Sequence, residues 1–131
     1  MDVIAVDDDR AGRELLRLVL EAAGHAVRTG ASASDALGLL AASSRPAVLV
    51  TDLLMGVARD EGYLLIERVR SDPRLDAVGI IALTGVTSGR DLARARAAGA
   101  DACLTKPIDV PRFLDVLDEV RAARGPAPGP A

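Results

Sequence analysis

The chain has 131 residues, half of them hydrophobic and 27% charged, with a formal net charge of -3. That length suits one domain with a single core, and the composition excludes a disordered chain. The negative charge gives no ground for general binding to nucleic acid or an anionic membrane, and the lone cysteine, Cys103, excludes an intramolecular disulfide or a thiolate metal cluster.

In chain order, short apolar runs alternate with longer amphipathic segments. Residues 3–6 read as a buried strand, followed by a helix over residues 10–23 with Leu15, Leu16, Val19 and Leu20 at helical spacing and Gly24 as its stop. Residues 26–29 form a weaker strand. Ser32 or Ser34 caps a second helix that reaches about residue 42, with Leu37, Leu39 and Leu40 on its apolar face. Residues 47–51 are a continuous apolar run, the pattern of a strand covered on both faces. A loop holding Gly56 and Gly62 precedes a helix over residues 63–70, which ends before Asp72-Pro73.

Residues 78–83 form another buried strand. Thr87 or Ser88 opens a helix through Ala98, closed by Gly99, and residues 102–105 are the last strand. Asp109 caps a final helix to about Arg124, with Pro111 tolerated in its first turn. Residues 1–124 thus form one domain, and residues 125–131 form a flexible Pro/Gly-rich tail with little apolar surface to bury. The N-terminus has no basic region, and no apolar segment is long enough to span a bilayer, so the expected location is the cytoplasm.

Five strand-then-helix units call for parallel strands with right-handed crossovers and helices on both faces. The expected fold is α/β, a doubly wound five-stranded parallel sheet of the flavodoxin-like (βα)5 kind with strand order 2-1-3-4-5. Its functional crevice lies beyond the carboxyl ends of the strands. There the polar strand ends converge: Asp7, Asp8 and Asp9 after the first strand, Asp52 after the third, Thr84 after the fourth and Lys106 after the fifth.

Carboxylates gathered in one crevice repel unless cations balance them. An all-oxygen set suits Mg²⁺. Lys106 adds a second positive charge, and it is the single lysine among sixteen basic residues. Its ammonium is a compact charge, whereas arginine presents a wider fork. Such a site stabilises charge on a transferring phosphoryl group, and Asp carboxylates serve as nucleophiles in that chemistry.

Four segments carry a resemblance: Val6-Asp7-Asp8-Asp9, Thr51-Asp52-Leu53-Leu54-Met55, Ala82-Leu83-Thr84-Gly85, and Gly99-Ala100-Asp101 ahead of Lys106-Pro107. Together and in this order they resemble the receiver domain of two-component response regulators, a single-domain, chemotaxis-regulator-like member, from residue 2 to about residue 124. The resemblance implies that Asp52 is the phosphoacceptor. It implies that Asp7, Asp8, Asp52 and the Leu54 backbone carbonyl hold Mg²⁺, that Thr84 and Lys106 contact the phosphoryl oxygens, and that Lys106-Pro107 is cis.

It further implies a cytoplasmic bacterial protein that catalyses only its own phosphorylation and dephosphorylation. The implied donor is a histidine kinase or phosphotransfer protein. The implied output is a protein partner on the last two helices and last strand, with no direct nucleic-acid or membrane contact.

Three departures qualify this expectation. Gly56 stands where the family has proline, and the loop over residues 56–61 is about two residues longer than usual, which predicts a more mobile loop and weaker Mg²⁺ binding. Cys103 stands where the family often has Tyr or Phe, so the usual aromatic switch is missing; we read it as a small buried hydrophobe rather than a redox group. Leu54 and Val86 are apolar where polar groups orient attacking water, which predicts a long-lived acyl phosphate.

An Asp triplet taken alone is an ordinary solvated turn, and it is the joint set with Thr84 and Lys106-Pro107 that points to a site. His25, Arg94 and Arg96 read as surface residues. The competing function is a receiver-like interaction module that works without phosphorylation. A dehalogenase-type phosphatase wants a second Asp where Leu54 stands, and no glycine-rich nucleotide loop is present.

Overall fold

The computed structural model describes residues 1–85 and 88–124. Its elements run β1 (Asp2–Val6), α1 (Arg10–Ala22), β2 (Ala26–Gly30), α2 (Ala33–Ala42), β3 (Val48–Asp52), α3 (Glu61–Arg70), a 3₁₀ turn (Pro73–Leu75), β4 (Gly79–Thr84), α4 (Gly89–Ala98), β5 (Ala102–Thr105) and α5 (Val110–Arg124). All strand pairs are parallel, and the order is β2-β1-β3-β4-β5. This is the doubly wound sheet that the alternating pattern predicts.

Strand alternation divides the core between two layers. Ile4, Val6, Leu49 and Ile80 face a cluster with Leu40, Leu53, Tyr63 and Ile66, while Val3, Ala5, Val48 and Val50 face Leu16, Leu20, Phe113 and Leu117. Burying each large side chain contributes about 1.5–3 kcal/mol. With two aromatic side chains in the whole chain, aliphatic packing on both faces supplies most of that burial.

Local chemistry sets the helix starts. The Asp9 carboxylate accepts from the Gly12 N–H and caps α1, while Ser32 rather than Ser34 caps α2 by accepting from Asp35 N–H. Ser88 caps α4 by accepting from Asp91 N–H, and Thr87 lies outside the described residues, as do Val86 and the tail. Leu15 and Leu18 are half-exposed, so the apolar face of α1 is narrower than its periodicity predicts. Helix α3 begins two residues earlier than expected, at Glu61, because the Glu61 N–H donates to the Met55 carbonyl at 3.1 Å and closes the preceding loop.

The far end of the sheet is pinned by Asp101. Its carboxylate accepts from Arg70, from Arg124 and from the Ile80 N–H at 2.6–3.0 Å, tying α3, α5 and β4 together. Among the described residues, no helix is long and apolar enough to cross a membrane.

Candidate functional site

The sheet register brings the acidic strand ends together. Val6 sits opposite Thr51, and Asp52 sits opposite Leu83, so Asp7 leaves β1 beside the end of β3. Thr84 pairs with Thr105, and the Lys106 N–H donates to the Thr84 carbonyl at 2.8 Å, which brings the lysine to the same edge. The Lys106-Pro107 bond is cis.

Asp7 is 1% exposed, Asp52 is 7% exposed and Thr84 is fully buried. Lys106 Nζ donates to Asp7 Oδ2 at 3.0 Å and to Asp52 Oδ2 at 3.1 Å. The other Asp7 oxygen accepts from the Asp9 N–H at 2.9 Å, and the Asp7 carbonyl accepts from Arg13 at 2.9 Å. The Leu54 N–H donates to Asp52 Oδ1 at 3.3 Å, which orients the acceptor carboxylate from the residue two positions on.

Asp7, Asp8 and Asp52 each offer one carboxylate oxygen, and these oxygens lie within 4.8 Å of one another. Two unit charges 4 Å apart interact by about 4 kcal/mol at an effective dielectric constant of ~20. Three carboxylates against one inner ammonium therefore leave a local charge deficit. Hard oxygen donors at this spacing fit a hard divalent cation such as Mg²⁺. Burial opposes charge on Lys106, but hydrogen bonds to and charge on Asp7 and Asp52 outweigh it and hold its pKa above the ordinary lysine range.

Close backbone approach shapes the pocket in ways the sequence reading missed. A Cβ on Gly12 would lie 2.6 Å from Asp7 Oδ2, and one on Gly62 would run into the Asp52 carbonyl and the Leu53 Cα. Only glycine lets α1 and α3 pack this tightly against the strand ends.

Gly56 adopts φ +79, a conformation closed to proline, so the substitution serves the course of this loop. The loop is also tied down: the Gly56 N–H donates to Asp8 Oδ2 at 3.3 Å, the Arg59 N–H to the Gly56 carbonyl at 3.3 Å, and the Gly62 N–H to the Leu53 carbonyl at 3.1 Å. The expectation of a loosely held segment thus meets one with several internal bonds.

Cys103 is half-buried on β5 opposite Ala82, and burial pushes its thiol pKa up. The ring near it comes from α3. Tyr63 is buried, its hydroxyl donates to the Asp91 carbonyl at 3.4 Å, and the Arg94 guanidinium stacks 4.0 Å from its centroid. Arg94 is therefore more than a solvated face, whereas Arg96 is exposed as expected. His25 is partly buried, with Nδ1 3.2 Å from the N-terminal amine. No signal in the sequence reports such pairings, because each depends on how two elements pack.

Comparison with known proteins agrees with this geometry. Residues 3–118 match the family model described as the response regulator receiver domain. A 14.6 kDa uncharacterised protein of Leptolyngbya boryana is 39% identical over 119 residues, covering 91% of this chain and 88% of its own. The polar-differentiation response regulator DivK of Brucella anthropi is 30% identical over 118 residues, covering 88% and 91%. Among solved structures, the Vibrio cholerae chemotaxis protein CheY4 superposes with a TM-score of 0.83 at 30% identity, covering 91% of this chain and 97% of that one. This chain belongs to the response regulator receiver domain family of two-component signalling.

Proposed function

We propose that this receiver accepts a phosphoryl group on Asp52 from the phosphohistidine of a histidine kinase or phosphotransfer protein. The observation that carries this reading is the placement of Asp52, nearly buried at the end of β3 with one carboxylate oxygen held by Lys106 and the other by the Leu54 N–H. In the transfer, an Asp52 oxygen forms the new bond to phosphorus. The phosphorus–nitrogen bond breaks, and its electron pair stays on the imidazole.

Lys106 and Thr84 are the groups that contact the phosphoryl oxygens, and Lys106, already drawn between Asp7 and Asp52, needs little reorganisation during transfer. Asp7, Asp8, Asp52 and the Leu54 carbonyl are the groups that would hold Mg²⁺, which when bound supplies charge neutralisation for the phosphoryl oxygens. The chain acts on no other substrate. Its output is contact with a protein partner through α4, β5 and α5, in the cytoplasm, without direct binding to nucleic acid or membrane.

A second reading is favoured by the half-buried Cys103 in place of a switch aromatic: a receiver-like module that binds its partner without phosphorylation. Beryllofluoride, a phosphoryl mimic, separates the two. With Mg²⁺ and beryllofluoride, ¹⁹F NMR is expected to show a bound signal for the native chain and none for Asp52→Asn. Absence of that signal from the native chain contradicts phosphoacceptance.

A further inference from the structure

Arg59 has φ 60, and among the described residues it is the one non-glycine residue in the left-handed region. That conformation is uncommon for a residue with a Cβ and is held here by the bonds of the loop between β3 and α3. The turn carries the Arg59 side chain back over the rim of the acidic crevice. Its Nη1 lies 3.6 Å from Asp8 Oδ2, the same oxygen that accepts from the Gly56 N–H.

The basic partners are thus divided. Lys106 serves Asp7 and Asp52, and Arg59 serves Asp8, so each member of the carboxylate trio has a cationic neighbour. Arg59 lies near the end of the loop that joins β3 to α3.

We propose that Arg59 is a tethered counter-cation of the metal site: it pairs with Asp8 when no divalent ion is present and yields that carboxylate when one binds. It thereby raises the Mg²⁺ concentration at which the site fills. The inference rests on the metal-binding reading given above. Two positive groups compete for one carboxylate, and a dication near a guanidinium is also repelled by it. Because Arg59 is tethered to the chain, its competition does not dilute away. The Arg59 side chain is 59% exposed, so the effect is modest and screened by salt.

The test is a Mg²⁺ titration followed by ¹H–¹⁵N NMR on the native chain, Arg59→Ala and Arg59→Lys. At low salt Arg59→Ala is expected to bind Mg²⁺ about two- to fivefold more tightly, the range of an exposed ion pair. Arg59→Lys stays near the native value, and the gap narrows at high salt. A second readout needs no loaded site: in EDTA, Arg59→Ala unfolds at a lower temperature than the native chain, and saturating Mg²⁺ shrinks the difference.

Binding by Arg59→Ala alone, with the native chain silent, also supports the proposal. Equal or weaker Mg²⁺ affinity in Arg59→Ala overturns it while leaving the metal site intact. No binding by any of the three chains overturns both this inference and the metal reading.

Discussion

Lys106 Nζ lies 3.1 Å from Asp52 Oδ2 and 3.0 Å from Asp7 Oδ2, joining positions 54 and 99 residues apart. Loss of that ammonium leaves two nearly buried carboxylates facing each other. Lys106→Met is expected to destabilise the metal-free fold by about 1–3 kcal/mol, less than for a fully buried pair because Lys106 is partly exposed. Urea unfolding in EDTA checks this. An unchanged midpoint contradicts it.

A divalent cation should offset the same repulsion. Mg²⁺ at ten times its dissociation constant is expected to add about 1.4 kcal/mol of stability by mass action. Thermal unfolding midpoints should climb with Mg²⁺ concentration in the native chain and much less in Asp8→Asn. Matching curves for the two chains argue against Asp8 as a ligand.

How much of this was legible in the sequence follows from where each contact comes from. The parallel sheet and the convergence of Asp7, Asp52, Thr84 and Lys106 could be read because strand ends in an alternating βα pattern meet at one edge, and the strand order came with the flavodoxin-like fold kind. Contacts that depend on packing angle were not legible. Arg94 over Tyr63, Arg59 beside Asp8 and the close approach at Gly12 and Gly62 leave no periodic trace. Gly56 is a related case: the sequence shows a permissive residue there but not its φ of +79, which only the course of the turn reveals.

The glycines give a test that is independent of the chemistry. Gly62→Ala forces a methyl group into the Asp52 carbonyl and the Leu53 Cα, both backbone. Crowding of that kind costs about 1–3 kcal/mol, and more where only backbone can move. Chemical unfolding is expected to show at least that loss for Gly62→Ala, with no loss and a gain of about 0.5–1 kcal/mol for Gly38→Ala, which lies inside α2 with open space at its Cβ. Equal stability of the two variants would show that α3 does not pack as described.

Cys103 gives a pH-dependent prediction. Burial raises its thiol pKa, and nearby Arg96 only partly opposes this, so the thiol stays protonated through neutral pH. Since the thiolate is the nucleophile, alkylation by iodoacetamide near neutral pH should run at least about tenfold slower in the folded chain than in the urea-unfolded chain. The folded rate should begin to rise only at a pH above that at which an ordinary thiol ionises. Folded and unfolded chains reacting at one rate would remove the case for a shielded, inert cysteine.

Acetyl phosphate gives the most direct measurement of whether Asp52 is a phosphoacceptor. Intact-mass spectrometry after incubation with acetyl phosphate and Mg²⁺ should show a single added phosphoryl group on the native chain. The adduct should be lost in EDTA and absent from Asp52→Asn. A native chain that stays unmodified, or an Asp52→Asn chain modified to the same extent, contradicts the account.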